Sequence, residues 1–161
     1  MGLWKTYWIT MALRQVWTDI EINSTPEKVW EVLIDFSKFN QWNPLFNFIE
    51  GDPSKHGSPL REHIFLFGRG GPMVKWRSKV MIYNPPYEFA WRGHVWFRQF
   101  GLGEHHYQII PLGENKVRFV HWELFFGFFP TLFFKYFMKK KTTLLFHQMN
   151  LAIKNRVENL I

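Results

Sequence analysis

Between Val16 and Ile22 the side chains alternate, with Val16, Thr18, Ile20 and Ile22 on one side and Trp17, Asp19 and Glu21 on the other. That period of two marks a half-buried strand. Ser24 or Thr25 can cap a helix, Pro26 sits in a first helical turn where its missing N–H costs nothing, and Glu27 favours the positive helix end. This helix is predicted from Pro26 to about Ile34, with Val29, Trp30 and Leu33 inward. Asp35 or Ser37 restarts a shorter helix through Lys38 to Gln41. Pro44 ends it by pushing Asn43 towards an extended conformation.

Six further strands are predicted, at about Phe46 to Glu50, Leu60 to Gly68, Met73 to Tyr83, Glu88 to Trp96, Glu104 to Leu112 and Lys116 to Phe125. Between them GDPSKHGSP, GRGGP, NPPY, RQFGLG and LGEN supply glycine, proline or asparagine where the chain reverses. Connections this short imply an antiparallel meander. The last helix is expected from Lys139 to Leu160, with Leu145, Met149, Ile153, Val157 and Leu160 in one stripe. At about 1.5 Å per residue it is roughly 30 Å long and can cross a twisted sheet. The predicted fold class is α+β: a curved antiparallel sheet of about seven strands wrapped around a long C-terminal helix, with two short helices between strands 1 and 2. Residues 1–15 read as an N-terminal extension and 16–161 as one domain.

Composition changes this picture in two respects. Of 161 residues 18 are Phe, 9 Trp and 5 Tyr, and rings in that number either line an apolar cavity or anchor a surface at a membrane. The formal net charge of +7 favours anionic surfaces in general. The absence of cysteine excludes disulfides and thiolate metal sites, which fits a cytoplasmic location. The stretch between Lys5 and Arg14 is too short and too polar for a signal-peptide core. Gly2 to Thr6 fits a short, permissive acylation pattern that carries little weight, and Met11 can itself initiate. No apolar run approaches the roughly twenty residues of a membrane-spanning helix.

The segments INSTPEKVWEVLIDFSKFNQWNP, GEHHYQIIP, FVHWELFFG and FHQMNLAIKNRVE, in that order from about Thr18 to Glu158, resemble the START and Bet v 1-like helix-grip superfamily, and within it the polyketide cyclase/dehydrase-like branch. The resemblance implies a helix-grip fold with an apolar cavity between sheet and final helix, suited to a lipid, polyketide, sterol or other small hydrophobic ligand. The chain departs from the family pattern in its first ten residues and in the phenylalanine-rich FFGFFPTLFFKYFMKKK.

Pairing Leu112 with Lys116 across the LGEN turn sets Tyr107 opposite His121 and His105 opposite Glu123, all on one face. Apolar content does not decide whether that face or the one carrying His106, Gln108, Ile110, Arg118, Val120 and Trp122 looks inward. The resemblance favours the first. Directly opposed Cβ atoms are about 5 Å apart, within reach of a hydrogen bond between His105 and Glu123. Burial would raise the glutamate's pKa and a nearby imidazolium would lower it. Such a pair can serve as general acid and base in a cyclisation or dehydration, or as a polar anchor for a ligand. Trp30, Trp42, Trp76, Trp91, Phe119 and Phe133 are expected to line or close the cavity, with Tyr107 and His121 adding polar recognition.

Phe128, Phe129, Leu132, Phe133 and Phe137, followed by Lys139, Lys140 and Lys141, suit a shallow insertion at an anionic membrane, with rings in the acyl boundary and cations on head groups. The same rings can instead cap the cavity. Lys75, Arg77 and Lys79 alternate with Val74, Trp76, Ser78 and Val80, as on a solvated strand face. No nucleic-acid module is present. No metal is expected, because His105 and His106 point to opposite faces and no HExxH or paired Cys/His spacing occurs. No cofactor is expected. Three functions stay open: a binder or carrier of a small hydrophobic ligand, a cyclase or dehydratase, and a peripheral membrane lipid-transfer protein.

Overall fold

The computed structural model describes residues 15–94, 102–126 and 139–159. The chain forms β1 (Gln15–Ile22), α1 (Pro26–Ile34), a short 3-10 turn (Phe36–Lys38) running into α2 (Phe39–Trp42), then β2 (Phe46–Glu50), β3 (Pro59–Phe65), β4 (Met73–Asn84), β5 (Glu88–His94), β6 (Leu102–Gly113), β7 (Lys116–Phe126) and α3 (Lys139–Glu158). The seven strands make one antiparallel sheet in the order β1-β7-β6-β5-β4-β3-β2, curled into a half-barrel around α3. The expected fold class is the observed one.

The local reasons are those the sequence carries. Thr25 caps α1 with Pro26 in its first turn, and Val29, Trp30 and Leu33 are its buried face. At the corner between α2 and β2 the side-chain oxygen of Asn43 accepts from the backbone N–H groups of Leu45 and Phe46, each at 2.9 Å. That closes the turn. β3 ends at Phe65, three residues short of expectation, because Leu66 to Pro72 form a compact loop. Leu66 N–H donates to Pro72 C=O at 3.0 Å, and Gly68 and Gly70 take φ of 90° and 93°, which favours glycine. The expected ends of the fifth strand at Trp96 and of the last helix at Leu160 lie outside the described residues.

One half of the space under the sheet is solid. Trp30 meets Tyr83 and Phe89 edge-on at 5.4 and 6.4 Å, Phe36 meets Phe39 at 5.3 Å, and Phe39 meets Trp42 at 5.1 Å. Edge-to-face packing of this kind fills volume and fixes orientation. The hollow that remains lies nearer the start of α3.

Candidate functional site

The β6/β7 register is the one expected, with Tyr107 opposite His121 and His105 opposite Glu123, and a bulge near the turn absorbs the extra residue. All four are buried. They stand on the concave face, while His106 and Trp122 stack on the convex one at 4.8 Å.

The hollow has a volume of about 120 Å³ and is walled by β2 to β7 and the first turns of α3. Its space is made by a bare strip of sheet. Gly93 and Gly103 are paired neighbours on β5 and β6, in a row between Ser78 and Phe125. A Cβ on Gly103 would lie 2.7 Å from a carboxyl oxygen of Glu123, so the glycine lets that carboxyl fold over the strip. Leu45, Phe46, Trp76, Trp91, Leu145 and Phe146 supply most of the apolar wall. The titratable groups among the described lining residues are His105, Glu123 and Glu62, and Thr142 adds a hydroxyl at the α3 side.

Of the residues expected to line the cavity, Trp76 and Trp91 do so, beside His105 and Glu123. Trp30 and Phe119 are taken up by the core, Phe119 against Tyr107 at 5.7 Å. Trp42 is half-buried on the outside of the aromatic cluster, bordering a shallow groove against α3 with Asn155 and Arg156. Tyr107 and His121 lie behind the wall, the Tyr107 hydroxyl donating to Met149 sulfur at 3.6 Å. Phe128, Phe129, Leu132, Phe133 and Phe137 lie outside the described residues. Lys139, Lys140 and Lys141 are exposed on the first turn of α3.

His105 and Glu123 do not share the hydrogen bond expected of them. His105 Nδ1 is 3.7 Å from Glu123 Oε2, too long for one, and the other imidazole nitrogen is engaged elsewhere. A relay fixes which nitrogen carries the proton. The Thr18 hydroxyl donates to the His121 carbonyl at 3.2 Å and accepts from the Asn150 amide at 3.0 Å, so Asn150 Oδ1 faces His121 Nδ1 at 3.2 Å and accepts from it. His121 Nε2 is then a lone pair. It accepts from His105 Nε2–H across 2.6 Å, which leaves His105 Nδ1 as a lone pair beside Glu123. Two of the four members, Asn150 and Thr18, carry no signal in the β6/β7 pattern.

Burial disfavours the charged form of each of these groups. His105 is pushed well below the usual imidazole range, by desolvation first and then by its His121 and His106 neighbours. His121 is lowered to about 3, again by burial, against the opposing hydrogen bond to Asn150. Burial and the nearby Glu62 push Glu123 well above the usual carboxyl range. Glu62 is raised to about 7 by burial, offset by hydrogen bonds from Ser78 and Trp91. The expected imidazolium that would lower Glu123 is therefore absent, because the imidazole is neutral.

Glu62 and Ser78 escaped the sequence reading. The signal was present: Leu60, Glu62 and Ile64 alternate in LREHIF, so one acid falls on an otherwise apolar face. The chemistry brought together is a carboxylic acid, a neutral imidazole with a free lone pair, and a second acid titrating near neutrality, in a small apolar hollow. Among the described residues no group of three or more His, Cys, Asp or Glu could hold a metal ion.

Residues 14–158 match the sequence model of a family described as polyketide cyclase/dehydrase and lipid transport. No curated protein matches. Among solved structures, the Zhui aromatase/cyclase from Streptomyces sp. R1128 is 16% identical with a TM-score of 0.68, over 90% of this chain and 93% of that one. A START superfamily protein from Mycobacterium smegmatis is 18% identical with a TM-score of 0.71, over 92% and 99%. A norcoclaurine synthase from Thalictrum is 11% identical with a TM-score of 0.66, over 91% and 94%. At these identities the likeness is one of fold.

Proposed function

We propose that this chain, which belongs to the polyketide cyclase/dehydrase and lipid transport family, binds a small hydrophobic ligand whose functional end enters the hollow under the sheet. One observation carries the reading: among the described residues a mostly apolar cavity closes on a few polar side chains, with the titratable groups His105, Glu123 and Glu62 at one pole and Thr142 at the start of α3. A few converging polar groups in an apolar concavity serve to orient a bound molecule. The volume of about 120 Å³ is close to the roughly 150 Å³ that admits a benzene ring, so a single ring or a chain terminus fits.

Blocking the hollow tests this. Thr142 lies at the start of α3 on the cavity wall and is only half-buried, so Thr142→Trp should fill the entrance without opening the core. In native mass spectrometry the wild-type chain is expected to carry a small molecule that Thr142→Trp lacks. A wild-type chain that arrives empty from cells and takes up no single-ring probe in titration refutes the reading. The acid and base at the cavity pole also match the needs of a dehydration or cyclisation. Turnover of the recovered molecule, lost in Glu123→Gln while binding persists, would make the container an enzyme.

A second reading concerns where loading occurs. Phe67, Met73 and Leu144 are each about half exposed, and the Lys141 ammonium lies 4.1 Å over the Phe67 ring. They sit beside the cavity walls formed by Phe65, Leu66 and Leu145, so we propose that this end meets an anionic membrane.

A further inference from the structure

We propose that the polar end of the cavity is a receptor for a primary ammonium group, so that the ligand is a small hydrophobic amine; this rests on the cavity-binding reading above. The relay from Thr18 through Asn150 and His121 fixes the proton on His105 Nε2, and His105 Nδ1 can therefore only accept. Glu123 lines the same cavity, is buried, and has no hydrogen-bond partner among the described residues. Glu62 is anchored by Ser78 and Trp91 on the opposite side of the bare Gly93/Gly103 strip. Once both carboxyls ionise, the pole consists of three acceptor positions. An ammonium group has three N–H donors and no acceptor.

Charge leads to the same class of ligand. Among the described residues lining the hollow there is no lysine or arginine, although the chain as a whole carries an excess of seven positive charges. Around the two acids stand Ser78 and Trp76 from β4, Trp91 from β5, His105 and Tyr107 from β6, His121 from β7, and only Thr142, Leu145 and Phe146 from α3. None offers a compensating cation. A carboxylate ligand would bring a third acidic group to a pole that holds no cation to balance it, and a neutral ligand would leave the two acids protonated. A cation relieves them.

Binding then moves protons without making a covalent bond. Each acid loses its O–H proton to solvent, and the ammonium N–H groups donate to the resulting carboxylate oxygens and to His105 Nδ1. Amine affinity should rise with pH as long as the ligand stays protonated.

Calorimetric titration of the full chain with benzylamine, benzyl alcohol and benzoate tests this, each being a single ring of suitable size. Benzylamine is expected to bind tightest by roughly tenfold, with benzoate weakest. Titrations at pH 6 in buffers of different ionisation enthalpy should show about one to two protons released per amine bound. In Glu123→Gln, and independently in Glu62→Gln should the first fail to fold, the preference for amine over alcohol should collapse towards unity. Benzyl alcohol binding as tightly as benzylamine, or amine binding without proton release, overturns the proposal and leaves the hydrophobic cavity reading intact. No binding of any probe overturns both.

Discussion

His105 and His121 stand beside Glu62 and Glu123 in a buried patch where the same cause, loss of water, suppresses positive and negative charge alike. The consequences for stability run in opposite directions. The histidines have folded pKa values below the usual 6.5, so as pH falls below 6.5 the unfolded chain takes protons that the fold refuses. Stability is lost on the acid side, and the lowered Asp35 and Glu158 add to that loss at still lower pH. The glutamates are raised above the usual 4.5. Their contribution is complete below 4.5 and disappears as pH rises, for Glu62 through about 7. From 4.5 to 6.5 the two trends oppose each other. Thermal melting between pH 4 and pH 9 should therefore give a plateau at pH 4.5–6.5 and a fall on both flanks. Because Glu62 titrates mostly below its folded value of about 7, Glu62→Gln should turn the plateau into a rise of on the order of 2 kcal/mol from pH 4.5 to pH 6.5 and leave most of the alkaline flank to Glu123. A wild-type chain that gains stability from pH 6.5 to pH 8 would contradict acids buried as neutral groups.

The elements differ in how much of their placement the sequence discloses, and the difference is one of chain length between pairing partners. The LGEN turn is so short that the β6/β7 register comes from counting, and with it the pairing of His105 with Glu123 and of Tyr107 with His121. The β3/β4 connection has seven residues and two glycines at positive φ, so no count fixes its register, and Glu62 meeting Ser78 could not be read. Asn150 was hidden for another reason. It lies at the edge of the α3 stripe, one residue from Met149, where a polar side chain normally reaches solvent and here is buried against Thr18. The NQWNP corner shows the opposite case: proline chemistry made Asn43 extended, but the buried side chain that holds the corner is a tertiary fact. Asn43→Leu would strand the Leu45 and Phe46 N–H groups and release the turn that aims β2 at β3. A loss of about 2–4 kcal/mol is expected from two unsatisfied buried donors, read as a lower denaturant midpoint. A change below about 0.5 kcal/mol would mean that the corner is held by Pro44 and packing alone.

Across the whole molecule the charges are sorted by environment, with acids at the cavity pole and lysines clustered outside the same end. Lys139, Lys140 and Lys141 extend from the first turn of α3, ahead of exposed Leu144, and Lys141 lies over the exposed Phe67 ring of the β3/β4 loop. Among the described residues no helix is long and apolar enough to cross a membrane, so contact at this end would be peripheral. Apolar side chains can enter the acyl boundary while the ammonium groups meet phosphates, each lysine contributing roughly 1 kcal/mol at an anionic surface. Three lysines then account for about 3 kcal/mol, or roughly a 150-fold change in partitioning. Co-sedimentation with phosphatidylcholine vesicles containing phosphatidylserine should show binding that weakens as salt is raised from 0.05 to 0.5 M, since screening shortens to about 10 Å already at 0.1 M. Replacing the three lysines with glutamate should abolish binding, and Phe67→Ser should reduce it at every salt concentration. Because Lys139 and Lys140 belong to the exposed first turn, their replacement should leave the melting temperature within a few degrees. If the intact chain ignores anionic vesicles, or the triple variant binds them equally well, loading at a bilayer is excluded and the cavity must fill from solution.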